Sequence, residues 1–153
     1  MTSLRTVPLA ELFLEDETAW LDRMSELVRQ RRLTELDLDN LTEYLSDMAR
    51  RDRREVKSRL GVLMAHLLKW EFQPDRRSRS WRATIITQRQ ELADLAGAGA
   101  LRNHAETVLA ESYDNAVELA VAETGLDQGA FPSECPYTVE QLLAADVSME
   151  ETA

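Results

Sequence analysis

The chain has 153 residues, with 28 acidic side chains against 18 basic ones, two histidines and one cysteine. That size suits one compact domain, and a lone Cys135 cannot close an intrachain disulfide. The longest uncharged run is the nine residues 60–68, far short of the ~20 apolar residues that span a bilayer, so no membrane segment is expected.

Residues 1–10 lack the basic start and long apolar stretch of a secretory signal, which makes the cytoplasm the expected compartment. Five glycines and four prolines are too few for a collagen-like, low-complexity or turn-rich β chain. An all-α protein is the expectation. Charge is strongly segregated: residues 1–49 carry a net −6, residues 50–90 a net +8 and residues 91–153 a net −12. Either the blocks fold onto one another and neutralise, or the basic block faces an external anion.

The spacing predicts a first helix with Asp16 as N-cap and Trp20, Met24, Leu27 and Val28 on one face, ending at the basic Arg31-Arg32. Acid first and base last suit the helix dipole. After a connector at Leu33 to Leu38, Asp39 is the expected cap of a second helix. Its stripe of Leu41, Leu45, Met48, Val56, Leu60, Leu63, Leu67 and Trp70 runs to Gln73-Pro74. At ~1.5 Å per residue that helix would be ~50 Å long, against a diameter near ~40 Å for a globule of this length. It must bend or break near Ser46 to Arg54 or at Gly61, or the molecule is elongated, or the overhang packs on a second subunit. A third helix is expected to start with Ser80 as N-cap and to bury Trp81, Ile85, Leu92 and Leu95 before Gly97-Ala98-Gly99. The fourth, from Leu101, carries two adjacent apolar stripes and ends at Thr124-Gly125. Leu126 to Tyr137 reads as an extended wrap, and Thr138 with Gln141 forms a capping box that opens a short last helix.

The stretch Pro74 to Arg82 is the candidate binding site. Arg76, Arg77, Ser78, Arg79, Ser80 and Arg82 precede or enter the first turn of the third helix, with Lys69 close by in sequence. Free backbone N–H groups, the positive dipole end and guanidinium forks suit phosphate or carboxylate oxygens. The competing reading pairs these arginines with the chain's own surplus of carboxylates. Arg50 to Lys57 adds positive charge on the second helix, yet a sequence pI near 4.7 is far from a nucleic-acid footprint, so a solvated charged face is preferred there. His66 and Cys135 have neither ligand-like spacing nor a neighbouring base, and are read, with Trp20, Trp70, Trp81 and Tyr113, as structural residues. No metal site, cofactor or catalytic constellation is expected.

With the helices placed, the residues resemble the bacterial domain of unknown function 29 family. The resemblance is carried by Asp16 with Trp20, Leu36-Asp37-Leu38 with Asn40-Leu41, His66-Leu67-Leu68-Lys69-Trp70, and Gln73-Pro74. It continues through Arg76-Arg77-Ser78 with Ser80-Trp81, Thr84-Ile85, Arg89, Tyr113, Ala116, Glu123-Thr124-Gly125-Leu126, Phe131-Pro132 and Cys135-Pro136-Tyr137-Thr138. It spans roughly Glu15 to Leu143, and the departure at Ala98-Gly99, where similar proteins often have Pro-Ser, touches one turn only. The resemblance implies a small all-helical domain, usually a stand-alone protein, and brings no activity, cofactor or catalytic residue with it.

The resulting expectation is a single-domain antiparallel bundle of four main helices, one of them long, plus a short C-terminal helix. Residues 1–14 are expected as a flexible N-terminus, 15–146 as the domain and 147–153 as a frayed tail. Trp20, Leu45, Leu63, Leu67, Trp70, Trp81, Ile85, Val108 and Tyr113 are the expected core. The leading function is a non-enzymatic protein-interaction or self-association module, with a homodimer or an unidentified protein as partner. Binding of a phosphate-bearing or other small anion at the arginine cluster is the alternative, and nucleic-acid association through the second helix is the weaker one.

Overall fold

A computed structural model describes residues 7–144. The protein is all-α: among the described residues the helices are α1 (Leu9–Glu15), α2 (Glu17–Arg29), α3 (Leu38–Phe72), α4 (Arg79–Ala96), α5 (Gly99–Thr124) and α6 (Val139–Ala144), with single 3₁₀ turns at Leu33–Glu35, Pro74–Arg76 and Gln128–Ala130. The chain groups into two compact units, Met1–Arg50 and Arg51–Ala153, and α3 contributes its first third to one and the rest to the other.

In the N-terminal unit, α1 occupies residues expected as flexible. Leu9, Leu12 and Phe13 recur at helical spacing and pack on a small cluster whose fully buried members are Trp20, Met24 and Leu27. Phe13 meets the Trp20 ring edge-on at 4.8 Å, Tyr44 lies 5.8 Å away, and the indole N–H donates to the Asp37 carboxylate at 3.2 Å. Asp16 caps α2 as expected, accepting from the Ala19 N–H at 3.0 Å. The cap of α3 is Asp37 rather than Asp39. Its carboxylate takes the Asn40 side-chain amide at 2.7 Å while also holding Trp20, so one residue closes the helix start and the aromatic cluster together.

Leu45 does not join a core; it is 58% exposed. Leu41 and Tyr44 turn toward Trp20, and the 3.6-residue period puts Leu38 and Leu45, two turns apart, on the adjoining strip of α3. The helix itself is continuous over 35 residues, and polar Ser46 to Arg54 and Gly61 interrupt nothing.

The second unit holds the larger core: Val56, Leu60, Leu63, Met64 and Leu68 of α3, Ile85 and Leu92 of α4, Tyr113, Ala116, Val117 and Ala120 of α5, then Phe131, Val139 and Leu142. Leu67, Trp70, Trp81 and Val108 are only partly buried. Trp20 belongs to the other cluster, so the expected single core is two. Two ion pairs fix how α3 and α5 run: Lys57 meets Glu111 at 2.6 Å and Lys69 meets Glu123, twelve residues further along both helices. The helices are therefore parallel and in direct contact, with Gly61 placed where an added Cβ would be 3.7 Å from the Ser112 carbonyl, while α4 runs back along α3, Lys69 lying by Trp81 and Arg59 by Gln88.

Turn chemistry follows the residues. Position 97, just after α4, needs glycine because a Cβ there would be 2.5 Å from the Ala93 carbonyl, and Gly125 ends α5 at φ 71° with its N–H donating to the Val121 carbonyl at 2.9 Å. The N-cap of α4 is Ser78 rather than Ser80, its hydroxyl accepting from the Trp81 N–H at 3.1 Å. The wrap is pinned by the Tyr113 hydroxyl donating to the Pro132 carbonyl at 2.5 Å and by Phe131 edge-on to Phe72 at 5.4 Å. Thr138 and Gln141 exchange backbone N–H and side-chain oxygen at 3.0 and 3.1 Å, the capping box read in the sequence. The expected frayed tail at 147–153 lies outside the described residues.

Candidate functional site

The cation-rich turn between α3 and α4 is formed because Pro74 ends α3 and Ser78 starts α4. Arg76, Arg77, Ser78, Arg79, Ser80 and Arg82 are all exposed. Arg77 and Lys69 are engaged elsewhere. Arg77 folds back: its Nε donates to the Trp70 carbonyl at 2.8 Å and its guanidinium lies 4.9 Å from the centre of the Trp70 ring. Trp70 is in the last turn of α3, where carbonyls have no helical partner and the dipole favours a cation, so Arg77, though exposed, finishes the helix end.

Lys69 is withdrawn as well. Its side chain is 7% exposed, paired with Glu123 and 4.9 Å from the centre of the Trp81 ring. An ammonium so placed is neutralised inside the unit. The internal pairing anticipated for the basic block is thus made by α3, through Lys57, Lys69 and, at 3.9 Å from Glu91, Arg59. Among the described residues, Arg76, Arg79 and Arg82 have no carboxylate within 4.0 Å, and the first turn of α4 contains no acid. Arg51, Arg53 and Arg54 of α3 are exposed and in the same condition.

His66 is half-buried with Nδ1 2.9 Å from the Val62 carbonyl, and burial lowers its pKa. The Cys135 thiol is 3.3 Å from the Tyr137 carbonyl and 3.8 Å from Met64 Sδ, and burial pushes its pKa up, away from a reactive thiolate. Burial likewise raises the Tyr113 and Tyr137 hydroxyls. Among the described residues no group of three His, Cys, Asp or Glu side chains could hold a metal ion, and no helix is long and apolar enough to cross a membrane.

The family model described as Domain of unknown function DUF29 matches residues 12–147. The chain belongs to this family. No curated protein and no solved structure matches it.

What the sequence reading of this DUF29 member missed is the distribution of exposed apolar groups. Among the described residues Val7, Leu14, Val28, Leu33, Leu38 and Leu45 are the large hydrophobics left exposed, and all six lie in the N-terminal unit. Leu14, at 84%, is the most exposed. The signal was present in a weak form: Leu38 and Leu45 are seven apart beside a Leu41/Tyr44 stripe, so α3 has more apolar width there than one small neighbour can cover.

Proposed function

We propose that this protein is an acidic, cytoplasmic interaction module, not an enzyme, and that its N-terminal unit is the part that docks on a partner protein. The observation that carries the reading is the concentration of exposed leucines and valines in residues 7–45. Scattered exposed apolar residues are normal, but six in one unit that among its described residues buries only Trp20, Met24 and Leu27 amount to a unit with much of its apolar surface unburied. A unit of about fifty residues has little core of its own, and covering Leu38 and Leu45 against a partner supplies what folding alone does not. Glu11, Glu15 and Asp39 stand beside Leu14 and Leu38 in sequence, are exposed and have no cation within 4.0 Å among the described residues, whereas Glu35 is taken by Arg32, so the partner surface that fits around Leu14 and Leu38 is apolar with a basic rim.

The test uses wild type and Leu38→Glu/Leu45→Glu side by side as bait in native lysate. At least one protein, or a second copy of the chain, should be retained by wild type and lost from the variant while the helical circular dichroism is kept. Identical companions for both would reject the reading.

The anion reading has one observation in its favour, the three exposed arginines Arg76, Arg79 and Arg82 with no carboxylate near them among the described residues. It calls for inorganic phosphate to shift the amide resonances of Ser78 to Trp81, and for Arg76→Ala/Arg79→Ala to abolish the shifts. Phosphate that leaves those amides unmoved would remove it.

A further inference from the structure

A second feature stands apart from the N-terminal unit. The second unit contains a pocket of about 710 Å³, open to solvent and within the size range of small-ligand sites, formed between α5 and the wrap that follows it. Tyr113, Asp114 and Val117 form one wall; Gln128, Gly129 and the Phe131 to Ser133 segment form the other.

The walls are preformed. The Tyr113 hydroxyl is bonded to the Pro132 carbonyl, Phe131 is locked edge-on against Phe72, and the 3₁₀ turn is closed by Ala130 N–H to Asp127 at 2.9 Å and Phe131 N–H to Gln128 at 3.2 Å. The lining combines ring and aliphatic surface with three exposed polar groups: the Asp114 carboxylate, the Gln128 amide and the Ser133 hydroxyl.

The segment that forms it carries charge of one sign. Residues 111–134 contain six carboxylates, at 111, 114, 118, 123, 127 and 134, and not one lysine, arginine or histidine. Glu111 and Glu123 are taken by Lys57 and Lys69. Asp114, Glu118, Asp127 and Glu134 have no cation within 4.0 Å among the described residues. Asp127 is close to one lining residue, its Oδ2 falling 3.3 Å from where a Cβ on Gly129 would be. Negative charge near the aromatic wall is felt by Tyr113, whose hydroxyl is raised first by burial and then by Cys135, Asp114 and Glu71. An anion is disfavoured in such a place, and a neutral ligand would leave the field unused.

We infer that this cavity binds an organic cation, an ammonium or guanidinium on an apolar stem, with Asp114 as its anchor and Gln128 and Ser133 as neutral hydrogen-bonding partners. The stem lies against Pro132, with Val117 and Phe131, 6% and 5% exposed, as the floor beneath it. The same chemistry is offered by a free amine and by the lysine or arginine side chain of a peptide, and the experiment separates the two.

Isotope-labelled protein is titrated with phenethylammonium, its neutral isostere phenethyl alcohol, and the capped dipeptide N-acetyl-arginyl-leucinamide. One or both cations should shift the amides of Asp114, Val117, Gln128 and Gly129, with the alcohol weaker by about tenfold or more. A response to the amine alone assigns the site to a small molecule, and a response to the dipeptide alone assigns it to a partner's side chain. Asp114→Asn should lower the affinity about tenfold, and Ser133→Trp, at an exposed position on the cavity wall, should obstruct binding without touching the core. Glu134→Gln, outside the lining, should change it little. Alcohol binding as tightly as amine, Glu134→Gln matching Asp114→Asn, or no response to either cation at about 10 mM would overturn the inference.

Discussion

The Lys69–Glu123 pair allows the packing of the larger unit to be tested quantitatively. Lys69 is almost fully enclosed by α5 and the Trp81 ring, whereas the side chain of Glu123 keeps 40% of its exposure. The two partners should therefore respond unequally to removal. In Glu123→Gln the ammonium stays buried beside a neutral amide. A fully buried ion left alone costs about 3–5 kcal/mol, and water access on the Glu123 side reduces this to about 2 kcal/mol. In Lys69→Met the stem packing survives, the charge is gone and Glu123 can turn to solvent, so the cost should stay below about 1 kcal/mol. The double variant should resemble Lys69→Met alone, because once the ammonium is absent the carboxylate has nothing to neutralise. Urea unfolding followed by tryptophan fluorescence and by far-ultraviolet dichroism measures all three. On heating, the Glu123→Gln loss corresponds to a Tm lower by about 4–8 °C. Equal costs for the two single variants, or a Glu123→Gln cost under about 0.5 kcal/mol, would refute the enclosed-ammonium account.

Three further outcomes are expected. Burial holds the folded-state pKa of His66 below its ordinary value, so the unfolded chain takes up the proton first as pH falls. Stability should decline as pH drops through about 6.5, and His66→Gln should flatten that decline between about pH 7 and 5.5 in denaturant titrations. Gly61→Ala should stabilise by about 0.5–1 kcal/mol, since the added methyl meets only ordinary contact in mid-helix, while Gly97→Ala should destabilise because its Cβ would strike the Ala93 carbonyl. Paired thermal melts showing the same sign for both would contradict this. Tyr113→Phe leaves the Pro132 carbonyl without its donor and should cost about 1–2 kcal/mol and speed amide exchange in the wrap, measured by hydrogen exchange.

Helix class and ends were legible wherever a local signal sufficed. Asp16, Gly125 and the Thr138/Gln141 box act within one turn of the chain, and each does in the structure what its residue type predicts. The caps missed by two residues, Asp37 for Asp39 and Ser78 for Ser80, are cases where two good capping residues lie close together. At the start of α3 a more distant contact chooses between them: Asp37 wins because it also receives the Trp20 indole. Burial was less legible because periodicity says which residues share a face, not whether anything covers that face. Leu45 carries the same signal as Leu60, yet one is exposed and the other enclosed by α3, α4 and α5. The arginine cluster was legible as a charge run, but its break-up was not. Whether Arg77 folds back on Trp70 or Lys69 dives beneath Trp81 depends on where two aromatic rings seven to twelve residues away come to rest.

The most direct measurement of the interaction reading is in-cell photo-crosslinking from single positions. A benzophenone side chain replacing Leu38 or Leu45 should yield one discrete crosslinked species, whether with another protein or a second copy, and the same group replacing the exposed Arg82 should not. Crosslinks absent from both leucine positions, or equally abundant from Arg82, would contradict it.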